Sequence, residues 1–328
     1  MSPASTEQFL LEQYIGHPAS QLQDLRKALY QSVFGCGHLI TDTSAAAEGI
    51  RREAAEAGPC GRGSEALDGP WSRVHLGVLA DGLTPETLSR MFARSAAMPH
   101  GDADALQEKL TVLRRLIHSG ALPYSPAEAD AELDDWRKNG FPACRHSEEY
   151  RAAYRPADRV LHRTYVRRLP LLAAIDRALA ENPRVLLAIE GGAASGKSTL
   201  ADLLTAIYPD TVLFHADDFF LRPEQRTAAR YAQPGGNLDR ERLESEILIP
   251  ISRNKAAVYR PFNCRTLSLR EPVTVLPGRL NIVEGSYSFH PELARYSDLS
   301  VFLHLSPETT RHRLLKRHGP EWGPAVFC

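Results

Sequence analysis

The stretch GGAASGKST, residues 191–199, constrains this chain more than any other. It reads G-x-x-x-x-G-K-[ST], with Gly191 and Gly196 as the fixed glycines, followed by Lys197 and Ser198. Its context gives it force. The apolar run 185–189 ahead of it has the character of a buried strand, and Leu200, Leu203, Leu204 and Ile207 behind it recur at helical spacing. A loop between a strand and a helix start gathers unpaired backbone N–H groups at the positive end of the helix dipole, so it favours a phosphate. In that frame Gly191, Gly192, Ala193, Ala194, Ser195, Gly196 and Thr199 form the cradle. Lys197 reaches the outer phosphates of a nucleotide, and the Ser198 hydroxyl is a ligand for Mg²⁺. A ligand-free turn would use the glycines but has no packing use for Lys-Ser at this offset.

With 328 residues the chain has the length of two domains, each able to bury a core. A net charge of -1 gives no overall basic footprint, which argues against nucleic-acid and membrane-surface roles and for small-molecule partners. Cys36, Cys60, Cys144, Cys264 and Cys328 are scattered without metal-like spacing and read as reduced thiols. The polar start MSPASTEQ has no apolar core, and no apolar run reaches the length of a membrane span. The expected location is the cytoplasm.

Residues 1–183 are punctuated as a mainly helical domain. Leu22, Leu25, Leu29 and Val33 mark a helix that stops at Gly35, and Thr84-Pro85-Glu86 opens another with Thr84 as its cap. Leu106, Leu110, Leu113 and Ile117 line one face of a helix ending at Gly120, and Ser125-Pro126-Ala127-Glu128 reads as a capping box. Only 74–79 hints at a strand. His38 and Asp42 in FGCGHLITD suit either a polar site or a helix terminus. His146-Ser147-Glu148-Glu149 reads as a helix cap with acidic first-turn residues. Arg151, Arg155, Arg159, Arg163 and Arg167 recur every four residues, but Pro156 interrupts any single helix, so a solvated or interdomain face is expected. Asn182-Pro183 marks the boundary before a second domain, 184–328. So short a junction suggests a gating or regulatory first domain packed against the second.

In the second domain another buried-type strand, 211–216, ends in Asp217-Asp218-Phe219-Phe220. Ligands of parallel α/β sheets sit at the carboxyl ends of strands, which puts two carboxylates beside a bound γ-phosphate and its Mg²⁺, where a base is needed. The run 280–283 ends likewise in Glu284, in the place of a Mg²⁺-holding acid. A strand at 299–305 and a basic helix capped by Ser306 follow. Arg311, Arg313, Lys316 and Arg317 on that helix suit phosphate clamping and surface decoration equally.

Taken together, GGAASGKST, HADDFF, RYAQPGGNLDRERL, YRPFNC, IVEGSYSFHPEL and LSPETTRHRLLKR resemble the uridine kinase and phosphoribulokinase-type P-loop kinases, in a group with a long helical N-terminal extension. The resemblance runs from about Val185 to Arg317. It implies ATP and Mg²⁺ as cofactors, Asp217 as catalytic base and Mg²⁺ neighbour with Asp218 as the fallback, and Glu284 as the metal-site acid. It also implies Arg313 and Arg317 as lid arginines and an acceptor pocket near Asp239, Tyr259 and Arg260. The pocket strings depart from the nucleoside kinases: QPGGNLD stands for their HPDAFD-like string, and no histidine follows Tyr259. The chain also stops soon after the lid helix, at a point where the family continues, so it reads as truncated. The strand at 299–305 would then be a sheet edge inclined to self-association, a route to homo-oligomers.

The expectation is therefore an α/β P-loop NTPase domain, a parallel sheet flanked by helices, preceded by a mainly helical domain. Its expected activity is transfer of the ATP γ-phosphate to a hydroxyl of a small metabolite. The rival expectations are an ATPase or switch without an acceptor, and a degenerate ATP-binding module.

Overall fold

The computed structural model describes residues 6–36, 43–57, 61 and 63–319. The motif residues His38 and Asp42, Cys60 and the ending from Trp322 to Cys328 lie outside the described residues. The chain divides into two compact units, Met1–Asp176 and Arg177–Cys328.

The first unit contains α1 (Thr6–Gly16), α2 (Leu22–Phe34), α3 (Thr43–Ala57), β1 (Ser64–Ala66), β2 (Trp71–His75), α4 (Pro85–Ala96), α5 (Ala103–His118), α6 (Pro126–Lys138), α7 (Glu148–Tyr154), β3 (Asp158–His162) and α8 (Arg163–Val166). The helix α9 (Leu169–Glu181) carries the chain across the division. Helices start where the capping chemistry places them: Thr84 accepts from the Thr87 N–H, Asp102 from Ala105 and Ser147 from Tyr150. Ser125 is the exception. Pro126 occupies the first helical position, but Ser125 makes no side-chain capping bond, so the capping box read from the sequence does not form. The unit also has more strand than its composition announced: β1, β2 and β3 form an antiparallel sheet in the order β1-β2-β3.

The arginine series is split among several settings, with Arg163 in α8 and Arg167 as the C-cap of α8. Arg151 lies in α7, Arg155 is its left-handed C-cap with φ 45°, and Arg159 lies in β3, where it pairs with Glu53 at 2.7 Å. Pro156 cannot continue the helix, and β3 starts two residues later, so no stripe exists.

His146 and Ser147 belong to a buried polar cluster centred on Asp24 of α2. Asp24 accepts from Ser147 Oγ at 2.6 Å, from the Ser147 N–H at 3.0 Å and from the Gln21 N–H at 2.9 Å, and its Oδ1 lies 2.8 Å from His146 Nδ1. Burial alone would raise the Asp24 carboxyl, but these bonds outweigh it and hold it down at about 2. Burial also keeps His146 below the usual histidine range, against the pull of Asp24. Asp24→Ala should therefore cost about 3 kcal/mol, measurable as a lower urea midpoint, because it leaves several buried donors without their acceptor. A carboxyl depressed by folding stabilises fully above its unfolded value of 3.8. That contribution is lost as the pH falls through about 2. The variant should accordingly lack this acid limb of wild-type unfolding.

The second unit contains β4 (Val185–Gly191), α10 (Lys197–Ile207), β5 (Thr211–His215), α11 (Ala228–Tyr231), α12 (Arg240–Leu243), α13 (Ile249–Ser252), β6 (Ala257–Tyr259), β7 (Phe262–Asn263), β8 (Ser268–Leu269), β9 (Val273–Val275), β10 (Leu280–Glu284), β11 (Leu299–Leu303) and α14 (Pro307–His318). Four strands form a parallel sheet in the order β11-β4-β10-β5. This is the α/β P-loop architecture, with α10 returning the chain from β4 to β5. β4 and β10 are central and buried almost throughout, which is why β4 reads as a continuous apolar run and β10 as a largely apolar one, with Asn281 bonded to Gly278. β5 does not fit its expectation as a buried strand. It lies at a sheet edge, and only Phe214 is buried. β11 forms the other edge among the described residues, with Phe302 58% exposed.

Between α12 and α13 the helix widens into a π-turn, Glu244–Leu248. Pro250 explains it: its ring has no N–H to donate and would meet the carbonyl four residues back, so the preceding turn opens. The small strand pairs β6-β9 and β7-β8 project from this side, with Tyr259 buried against Phe219.

Candidate functional site

The connection from β10 passes β4 to reach β11, so a crevice opens at the carboxyl end of β4, where such sheets bind ligands. β4 ends there in Gly191, and α10 begins at Lys197 with Gly196 in the left-handed conformation at φ 97°. A side chain on Gly196 would be strained, which accounts for glycine at this helix start. Lys197 Nζ donates to the carbonyls of Gly191 at 2.9 Å and Gly192 at 3.1 Å, folding back over the loop. Gly192, Ala193, Ser198 and Thr199 are exposed, while Ala194 and Ser195 are half-buried. The Ser195 Oγ is buried inside the loop without a hydrogen-bond partner among the described residues.

The carboxyl ends of β10 and β5 bring the acids to this loop. Glu284 is buried and parallel-paired with Ile189 on one side and His215 on the other. Its Oε1 accepts from Ser198 Oγ at 3.1 Å and lies 2.7 Å from His215 Nδ1. Burial would raise Glu284, but those two bonds prevail and keep it below the usual carboxylate range. The same contact raises His215 above the usual histidine range. Gly285 turns the chain away with φ 155°, and a Cβ there would overlap that of Ala216, so the ends of β10 and β5 can close together only around a glycine.

Asp217 and Asp218 diverge. Asp217 stands open to solvent in the concavity, yet enough protein surrounds it that burial raises its carboxyl, and Glu284 adds to this; Lys197, His215 and Arg317 pull the other way. Asp218 is also raised by burial, but its cationic neighbours are His215 and Arg270, and it acts on the Tyr259 phenol. The first aspartate thus feels the charges of the glycine-loop lysine and of α14, the second that of Arg270, and both feel His215. α14 reaches the same loop: Arg313 donates to the Ala194 carbonyl at 3.1 Å, and the charge of Arg317 is felt at Asp217.

The remaining expected site residues are Asp239, Tyr259 and Arg260, and the first two pack against the Asp217–Phe220 turn. Asp239 is buried as the cap of α12, accepting from the Arg242 N–H at 3.3 Å, and its Oδ2 has no partner among the described residues. Its own N–H donates to the Phe219 carbonyl at 2.7 Å, which ties it to the Asp217–Phe220 turn. The Tyr259 ring stacks on Phe219 at 5.6 Å. Arg260 donates to the carbonyls of Arg270 at 2.7 Å and Leu269 at 3.3 Å, so its guanidinium clasps the adjacent strands.

The sequence reading missed His215. Its position two residues ahead of Asp217, at the last residue of β5, is the signal that would have found it. Its partner lies 69 residues away, which no local pattern reveals.

The oxygen donors at the site, Ser198 Oγ, the Glu284 carboxylate and nearby Asp217, suit a hard cation such as Mg²⁺, which keeps most of its shell as water and phosphate oxygen. Among the described residues no group of three or more acidic, histidine or cysteine side chains is placed to hold a metal ion by itself. The orphaned Ser195 hydroxyl and the exposed loop fit a phosphate chain. No helix among the described residues is long and apolar enough to cross a membrane.

No family model matches the chain, and no curated protein matches it. Among solved structures it is similar to one described as a possible uridine kinase from Bacillus stearothermophilus, at 18% identity and a TM-score of 0.35, over 46% of this chain and 94% of that one.

Proposed function

We propose that the Arg177–Cys328 unit is an ATP-dependent phosphotransferase, uridine kinase-like in class, that moves the γ-phosphate to a hydroxyl of a small metabolite. The observation that supports this is the convergence at one strand-end crevice of the loop 191–199, the bonded set Ser198–Glu284–His215, Asp217, and arginines from α14. Phosphoryl transfer needs little covalent help from protein. It needs positioning, neutralisation of charge on the moving group, and a place for the acceptor proton.

In this reading the loop N–H groups and Lys197 hold the nucleotide phosphates, and Arg313 and Arg317 supply further positive charge. Ser198, Glu284 and Asp217 hold Mg²⁺, which neutralises charge on the transferred phosphoryl group when bound. Asp217 takes the acceptor hydroxyl proton, and its raised carboxyl suits a group that must accept a proton. Asp218, Asp239, Tyr259 and Arg260 surround the acceptor side, with Asp239 and Tyr259 acting through the turn they support.

The test is ADP release measured across nucleosides, sugars and pantothenate-like alcohols. At least one acceptor should raise turnover well above the acceptor-free rate and appear as its phosphate ester. ADP release unmoved by every acceptor would instead support an ATPase or switch.

A further inference from the structure

The Met1–Asp176 unit holds a cavity that the chemistry above does not use. It encloses about 400 Å³ between α2, α3, the 143–145 segment and β3, and Tyr30, Phe92 and Val160 give it apolar walls. That volume is typical of small-molecule sites. A second cavity of about 300 Å³ adjoins it, and Lys27, Arg145 and Asp158 line both.

The charges around these cavities do not cancel. Arg159 is satisfied by Glu53 at 2.7 Å and His146 by Asp24 at 2.8 Å. Lys27, Arg145 and Arg151 have no carboxylate within ion-pair distance among the described residues, and the Asp158 carboxylate has no cation within that distance either. Three unpaired cations against one unpaired acid leave two positive charges facing the space. Burial holds the half-buried Lys27 ammonium below the usual lysine range; Asp158 opposes this from a distance and Arg73 adds to it. A cation kept partly out of water without a carboxylate in direct contact is unfavourable.

We propose that this cavity binds a small organic phosphate monoester, with its dianionic head on Lys27 and Arg145, Arg151 at the rim, and its body against Tyr30 and Phe92. A phosphate monoester carries close to the two negative charges the walls lack, whereas a carboxylate carries one. Inorganic phosphate would supply the charge but leave the apolar walls uncovered. Asp158, the acid in the lining, then accepts from a hydroxyl of the ligand body. This inference concerns the first unit alone and stands apart from the reading of the second.

Calorimetric titration of the full chain with a panel of nucleoside 5′-monophosphates and sugar phosphates tests it, with the matching nucleosides and sugars, inorganic phosphate and orotate as comparison probes. At least one ester should bind with one-to-one stoichiometry. Lys27→Gln should weaken it roughly tenfold or more, the loss expected for one charge-assisted hydrogen bond, and Arg145→Gln should weaken it too. Lys27→Arg should restore part of the affinity, and Lys197→Ala should leave it unchanged. The unphosphorylated probes should not compete. Lys27→Gln should also leave the melting temperature of the unliganded chain equal or higher, since it removes an unpaired charge. The proposal is overturned if no ester binds, if Lys27→Gln and wild type bind equally, if orotate binds as tightly as the best ester, or if Lys27→Gln lowers the melting temperature by many degrees.

Discussion

Replacing Lys197 by alanine is expected to abolish most MgATP binding, weakening it roughly 10²-fold, while the unit stays folded. In the structure Lys197 Nζ is bonded to the carbonyls of Gly191 and Gly192 at the open face of the loop. Its amine can exchange those neutral acceptors for phosphate oxygens, which are charged and therefore bind it more strongly. Alanine removes that gain. It also frees two carbonyls at a loop whose neighbouring residues are exposed, where water can replace the lost donor, so the cost to folding is under about 1 kcal/mol. The measurement is thermal unfolding with and without MgATP. Wild type at about 100 times its dissociation constant should gain roughly 2.7 kcal/mol, and Lys197→Ala almost none at the same concentration. An equal shift for the two proteins would remove Lys197 from the nucleotide site.

The second large effect is expected at the acidic pair. Asp217→Asn should reduce phosphoryl transfer by roughly 10²- to 10⁴-fold, the range for loss of a general base, with nucleotide binding retained at lower Mg²⁺ affinity. Asp218→Asn should do less. The distinction rests on which charges reach the two side chains: both feel His215, but Asp217 also feels Glu284, Lys197 and Arg317, whereas Asp218 feels Arg270 and acts on Tyr259. A base must be near the phosphoryl group as well as the acceptor, and in the proposed reading Asp217, which feels Lys197 and Arg317, is the one so placed. Initial rates of ester formation for both variants, at several Mg²⁺ concentrations, make the comparison. If excess Mg²⁺ restores Asp217→Asn fully, the residue serves the metal alone. If Asp218→Asn is the more damaged enzyme, the roles are reversed.

The loop 191–199, the capped helices and the central strands were legible in the sequence because each depends on residues close together along the chain. Gly196 and Lys197 are adjacent, the Thr84 cap closes on Thr87, and an apolar run such as 185–189 is both the cause and the sign of a strand buried on two faces. Burial of β5 was not legible in this way. Its central Val-Leu-Phe is as apolar as β4, but its place in the order β11-β4-β10-β5 puts it at an edge, and strand order is set by which helices and loops cover which face. The same holds for Ser125, whose sequence suits a cap while its hydroxyl makes no capping bond.

What the amino-acid sequence determined by itself is the loop chemistry of the second unit and the presence of acids at its strand ends. What only the tertiary structure decided is how those acids are arranged and what else they meet. His215 and Glu284 come together because β5 and β10 are parallel neighbours in register, and Asp217 parts from Asp218 because consecutive residues of a tight turn face different sides. Lys27, Arg145, Arg151 and Asp158 surround one space because α2, the 143–145 segment, α7 and β3 pack there. Separations of that length are closed by the collapse of apolar faces onto a common core, so the charges they bring together carry no mark in the local pattern.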